Sequence, residues 1–377
     1  MTVGIYINDP LPIIISDCLA IPRTGAAQIY SPSNIEHFDG ENGELAKLVS
    51  KFIKLGSDTV ITFAGRSDHI NDFVQYFPAL WEGRDQNLRP MQFLHKIDEQ
   101  LRATRNNWGC SVLGATIIPQ DSDPDSTRTL NNTYASKSND WKFETKNFGT
   151  CHAVGSGSNE MRQFMEIADR NLNLLKAQEK FDLSEPDLLF RLLGALNGQA
   201  LFCQKRPLEE QSWGGVLQAQ VYYPFEGNWF RTPPWLHLCV VYKGSHLELR
   251  GIYNKTVFHT SKLDDDNSGA VVTWVVNSKG ETESRIWPVY SPFKIQSDEE
   301  LITYSDIMTE PKMVTITVVI QIEKSQTINQ NTYSFTEVSG LSASLEGDVF
   351  NINYDAKVLG DWLRNELLRD PSFRLPK

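Results

Sequence analysis

The longest apolar runs in this chain, Leu11–Ile15 and Met313–Ile322, have the length of strands rather than of long helices. A membrane-crossing helix needs about 20 apolar residues in succession, so the sequence argues against a membrane-spanning helical protein. Turn chemistry separates neighbouring runs. Asn8-Asp9-Pro10 lies between Val3–Ile7 and Leu11–Ser16, and Gly56-Ser57-Asp58 lies between Ser50–Leu55 and Thr59–Phe63, so each pair predicts a hairpin. The 377 residues predict about two to three domains at roughly 150 residues each. Apolar residues at 40% and aromatics at 11% are enough for packed cores.

Charge narrows the partners. With 36 basic and 47 acidic residues the net charge is −11, which argues against a nucleic-acid-coating surface, because phosphate binding draws on clustered Lys and Arg. Five scattered cysteines (Cys18, Cys110, Cys151, Cys203, Cys239) fit neither a disulfide framework nor a zinc ribbon. Met1-Thr2-Val3-Gly4 lacks the basic head and apolar core of a secretory signal. The expected location is the cytoplasm.

Helical periodicity predicts helices over Asp68–Tyr76, over Met91–Ala103, from just after Gly157, over about Glu185–Phe202 and over about Ala356–Leu368, the last with Asp355 as N-cap. Ser111–Ile118 and Val216–Tyr223 read as strands. Beyond Phe225 the composition is β-rich, with strands expected at Leu236–Tyr242, Leu247–Tyr253, Val271–Val276, Met313–Ile322 and Val349–Asn353. The polar stretch Gln120–Asp140 reads as a surface loop. Its Asp121-Ser122-Asp123-Pro124-Asp125 is not a calcium loop, because Ser126 stands where glycine is needed and Asn132 where glutamate is needed. A boundary is expected within 225–235, dividing the chain into 1–228 and 229–377.

One ordered series of residues resembles a known family. Thr2 follows Met1, Asp17 closes the first hairpin, Lys51 begins a strand pair ending in Ala64-Gly65, and Gly155-Ser156-Gly157 opens a helix. Over roughly residues 2–223 this resembles the proteasome β-subunit and HslV family of N-terminal-nucleophile hydrolases. The resemblance implies an α+β fold, a four-layer αββα sandwich, here with a β-rich C-terminal extension. It also implies a threonine peptidase or amidase in which Thr2, freed by loss of Met1, is the nucleophile and its own α-amine the base. Lys51 would lower the pKa of that amine, Asp17 would hold the lysine charged, the Gly65 N–H would stabilise the oxyanion, and Ser156 would stand beside the amine. Glu209 and Ser212 are the nearest match to a further Asp-x-x-Ser-Gly pattern, with glutamate for aspartate and Trp213 before the glycines. The stretch from Asp17 to Lys51 is longer than the family's. No cofactor is implied; a peptide or protein substrate, a homo-oligomeric ring and an ATP-driven unfoldase partner are. The alternative is a catalytically inactive scaffold of the same family that binds a partner through residues 229–377.

Other motifs are missing. The seven histidines form no His-Glu-x-x-His pattern and no zinc spacing, and the chain has no Gly-x-Ser-x-Gly elbow and no phosphate loop. His237 and Cys239 share one face of a strand and read as core. Asp264-Asp265-Asp266 reads as a solvated loop.

Overall fold

The computed structural model describes residues 3–369 except 10, 21–27, 36–37, 39–42, 86, 106–107, 120–128, 137–140, 177–184, 199–200, 202–215, 244–247, 263–264, 277–279, 293–310, 323–324 and 347–348. The chain opens with β1 (Val3–Ile7) and β2 (Ile13–Asp17), then runs through the short strands β3 (Leu19–Ala20), β4 (Gln28–Tyr30), β5 (Gly43–Leu45) and β6 (Lys47–Val49). The hairpin β7 (Phe52–Leu55) and β8 (Thr59–Gly65) leads into α1 (Ser67–Glu82) and α2 (Pro90–Thr104). Next come β9 (Cys110–Pro119), β10 (Thr129–Ala135), β11 (Trp141–Thr145), β12 (Gly149–Gly155), α3 (Ser158–Lys176) and α4 (Glu185–Gly198). The remainder is β13 (Leu217–Tyr223), β14 (Asn228–Arg231), β15 (Trp235–Lys243), β16 (Glu248–Lys262), β17 (Asp265–Val276), β18 (Thr282–Tyr290), β19 (Met313–Ile322), β20 (Ser325–Phe335), β21 (Leu341–Glu346), β22 (Val349–Tyr354) and α5 (Ala356–Arg369).

Side-chain alternation sorts the first half into layers. In the six-stranded sheet, ordered β11-β12-β1-β2-β13-β14, Ile5, Ile7, Ile13, Ile15, Leu217 and Val221 meet Met161 and Met165 of α3 and Leu192, Leu193 and Leu196 of α4. The intervening Tyr6, Ile14 and Tyr222 point the other way, as a period of two demands. They meet Phe52, Val60, Ala64, Leu113 and Ala115 of a four-stranded sheet ordered β10-β9-β8-β7. The outer face of that second sheet (Ile53, Ile61, Phe63, Val112) is covered by Ile70, Phe73 and Phe77 of α1 and Phe93, Leu94 and Ile97 of α2.

The expected α+β four-layer αββα sandwich with an extension must nevertheless be corrected. The protein is mostly β, with 51% strand against 28% helix and five helices among the described residues. An eight-stranded sheet, β20-β19-β15-β16-β17-β18-β6-β3, recruits β3 and β6 from the first fifty residues. It also packs on α4, where a Cβ on Gly194 would lie 2.8 Å from Thr332 and 3.0 Å from Thr315. Helix α4 is thus enclosed between two sheets instead of forming an outer layer. The other face of the eight-stranded sheet, with Leu236, Leu238, Val240 and Ile316, is covered by Leu363 and Leu367 of α5 and Phe350 and Ile352 of β22. Asp355 caps α5 by accepting the Lys357 and Val358 N–H groups at 2.9 and 3.0 Å.

Part of the expected loop Gln120–Asp140 is also a strand. Thr129–Ala135 pairs antiparallel with β9 along its whole length. Among the described residues, no helix is long and apolar enough to cross a membrane.

The eight-stranded sheet buries two histidines. His237 and His259 are 0% and 6% exposed. Burial lowers the pKa of His237 to about 3. Burial, with added repulsion from His237 and Arg231, holds His259 well below the ordinary value. Each therefore stays neutral in the native fold, whereas in the unfolded chain each takes up a proton near pH 6.5. Below that pH the unfolded state binds more protons, so stability falls by up to about 1.4 kcal/mol per pH unit for each histidine. Urea midpoints should therefore be flat above about pH 7 and should drop steadily from about pH 6.5 toward pH 3. His237→Gln should flatten that slope, and a slope unchanged by the substitution would contradict the assignment.

Candidate functional site

The candidate site forms where the chain changes sheets. Strand β2 ends at Asp17, and Cys18 donates its N–H to Val216 O at 3.0 Å while accepting from the Val49 N–H at 2.7 Å. The chain thereby leaves the six-stranded sheet and enters the eight-stranded one at Leu19. It leaves the eight-stranded sheet again at Val49, where the Ser50 N–H donates to Tyr290 O at 2.8 Å, and joins the four-stranded sheet at Phe52. Lys51 stands in that last crossing.

Lys51 is 3% exposed and Asp17 0%. The Lys51 Nζ donates to Asp17 Oδ1 and to Leu19 O, both at 3.0 Å. Burial pushes the lysine pKa down, and the adjoining carboxylate opposes that push by attraction and hydrogen bonding. Cys18 lies alongside, and burial raises its thiol to about 12, so it is no thiolate nucleophile.

The other sequence-derived positions gather around the same end of the two facing sheets. Strand β1 is flanked by β12 and β2, with Val3 opposite Gly155 and Gly4 opposite Ser16. The Gly155–Ser156 turn and the Asp17 end of β2 thus lie on either side of the start of β1. Ser156 is exposed, and the Met161 N–H donates to Gly157 O at 3.0 Å in the first turn of α3. In the β7–β8 hairpin Phe52 is opposite Thr62, so the Lys51 end of β7 meets the Gly65 end of β8. Gly65 has φ +138°, and a Cβ there would lie 1.9 Å from Gly109 O. Only glycine fits this turn. Thr2, Glu209 and Ser212 lie outside the described residues.

Two features escaped the sequence reading. Thr62 is in phase with Val60 and Ala64 on the inter-sheet face, its methyl stands against the Cα of Gly4, and its hydroxyl is buried without a hydrogen bond. A Cβ on Gly4 would come within 2.8 Å of that methyl, so glycine sets the close approach of β1 to β8. The signal available was one hydroxyl in the otherwise apolar run Val60-Ile61-Thr62-Phe63. The second is His69, whose Nδ1 accepts the Gly109 N–H at 2.8 Å and whose ring stacks on Trp108 at 5.0 Å, which fixes the loop that crowds Gly65. Among the described residues no group of three His, Cys, Asp or Glu could hold a metal ion.

A cation and an anion buried together are worth little net, but either one alone is costly. Asp17→Ala or Lys51→Met should each lower unfolding free energy by about 3–5 kcal/mol, and Asp17→Leu combined with Lys51→Met should recover most of it. Urea denaturation of the four proteins checks this, and single losses below about 1 kcal/mol would mean that the charges are not held as a buried pair. Compared with protein-family models and with curated proteins, the chain matches none.

Proposed function

We propose that this chain is a threonine-type peptidase or amidase, with Thr2 as nucleophile once Met1 has been removed. The observation that supports it most is the buried Lys51–Asp17 pair, both of whose members come from the resemblance series, at the end of the sheets where β1 begins. An ammonium shielded from water is a strong local field. Placed near an α-amine, it favours the neutral form of that amine, whose ordinary pKa is about 7.7–8.0.

In this reading the Thr2 amine accepts the proton from Thr2 Oγ as the oxygen bonds to a scissile carbonyl carbon. The Gly65 N–H stabilises the resulting oxyanion. The carbon–nitrogen bond breaks, the leaving amine takes the proton, and an ester on Thr2 remains. Water activated by the same amine then hydrolyses the ester and restores the hydroxyl. Lys51 engages two of its three donors with Asp17 and Leu19, which leaves one for Thr2. The resemblance would set Ser156 beside the amine, with Glu209 and Ser212 as the nearest match to the family's Asp-x-x-Ser-Gly pattern. Peptide substrates, ring assembly and an unfoldase partner belong to the same reading.

Intact-mass measurement and a fluorogenic-peptide assay test it together. The expected results are a mass lacking Met1, activity abolished in Thr2→Ala, and kcat reduced at least about 100-fold in Lys51→Met under conditions where circular dichroism shows a folded protein. Retained Met1, or activity indifferent to Thr2→Ala, overturns the proposal in favour of a non-catalytic, partner-binding protein.

A further inference from the structure

Helix α1 begins without a side-chain cap. Its N-cap residue is Arg66, whose side chain makes no capping hydrogen bond. In a capping box the third helical residue reaches back to the N-cap amide. In α1 that residue is His69, and Gly109 stands between the two. The Arg66 N–H donates to Gly109 O at 3.0 Å, and the Gly109 N–H donates to His69 Nδ1 at 2.8 Å. Gly109 therefore relays the contact that closes the first turn of the helix.

The relay adjoins the Gly65 turn. Gly65 is registered with Cys110 at the end of the β8–β9 ladder, so the Arg66–Gly109 bond is the next contact beyond it. A Cβ on Gly109 would lie 3.0 Å from Arg66 Cδ and 3.4 Å from His69 Nδ1, so the glycine backbone is closely held between them. An imidazole nitrogen accepts an N–H only when it carries no proton itself, so His69 acts through a lone pair. Its ring also stacks on Trp108, with centroids 5.0 Å apart and 18° between planes. Acceptor and stack can be separated by substitution.

We infer that His69 is a positioning residue for the proposed hydrolytic centre. Its Nδ1 holds Gly109, and Gly109 holds the Gly65–Arg66 turn from which the oxyanion-stabilising N–H is offered. The inference deepens the peptidase reading and rests on it. A donor aimed at the developing oxyanion acts on the transition state more than on bound substrate, and a misplacement of about 1 Å can cost about 100-fold in rate. Loss of the acceptor should therefore lower kcat and leave KM nearly unchanged.

Two variants of the full chain test this. His69→Phe keeps a ring for Trp108 and removes the acceptor, whereas His69→Asn removes the ring and supplies Oδ1 as an acceptor in place of Nδ1. In the fluorogenic-peptide assay kcat should fall at least about 10-fold in His69→Phe, with KM within about 2-fold of the parent, and His69→Asn should recover most of the loss. Amide hydrogen exchange followed by NMR should show the Arg66 N–H exchanging at least about 10-fold faster in His69→Phe than in His69→Asn. If circular dichroism shows His69→Phe unfolded, His69→Leu takes its place. Undiminished kcat in His69→Phe, an equal loss in both variants, or Arg66 exchange unaltered by His69→Phe would each overturn the inference while Thr2-dependent activity stood. A parent protein without Thr2-dependent activity overturns the peptidase reading instead, and Arg66 exchange then decides whether His69 holds the turn.

Discussion

The rest of the architecture depends on the buried ammonium of Lys51. It binds the carboxylate that ends β2 in the six-stranded sheet and the carbonyl of Leu19, which opens β3 in the eight-stranded sheet, and it sits itself one residue before β7 of the four-stranded sheet. One cation therefore joins the six-, eight- and four-stranded sheets at a point where no ladder between them is continuous. Desolvating an ammonium is so costly that it must find compensating partners wherever it is buried. This makes the pair a constraint on geometry more than a source of stability. The sheets are held in the one arrangement that brings Asp17 and Leu19 within 3.0 Å of the same nitrogen.

The eight-stranded sheet solves a similar problem without charge. His237 presents Nδ1 to the Thr315 hydroxyl at 2.5 Å and Nε2 to the Thr317 hydroxyl at 3.4 Å, so both nitrogens are engaged by one neighbouring parallel strand. Thr317 is linked onward to Thr332 of β20 at 3.1 Å. The β-branched hydroxyl residues suit a pleated, buried strand and satisfy the imidazole there. His259, one strand away, is instead stacked on Trp235, and neither of its ring nitrogens makes a hydrogen bond.

How much of this the sequence revealed varies with the kind of signal. The β7–β8 hairpin, α2 and α5 follow from local periodicity and turn or cap residues, and Asp17 with Lys51 were recognisable as a pair from their place in an ordered series. Strands β10 and β20 were not legible. Thr129–Ala135 and Ser325–Phe335 are rich in Asn, Gln, Thr and Ser, and both lie at sheet edges, where one side pairs and no apolar run is required. Strand β18 was obscured by Pro288, which normally demotes a strand. Helix α1 runs to Glu82, past Pro78, because Phe77 and Trp81 pack edge-on against Phe93 of α2 and tertiary contact outweighs the local break. The eight-stranded sheet was the largest omission for a different reason. The pairing of β6 with β18 joins residues near 48 to residues near 289, and nothing local encodes a contact of that span.

That long-range pairing also accounts for where the polar chemistry collects. When a strand leaves one sheet for another, its last backbone groups lose their ladder partners and must be satisfied by something else. In this chain side chains and crossing backbone do so, and the buried polar residues Ser16, Asp17, Ser50, Lys51, Gln218, His259, Thr260 and Ser291 lie along the resulting seam. A seam of this kind is polar because the topology requires it, and its side chains are buried because the sheets meet there. Those two properties together are what shift pKa values and strengthen hydrogen bonds. The proposed hydrolytic centre lies on this seam, where Leu217 is registered with Asp17 and Gln218 with Ser16. The gathering of these polar groups follows from the strand crossings.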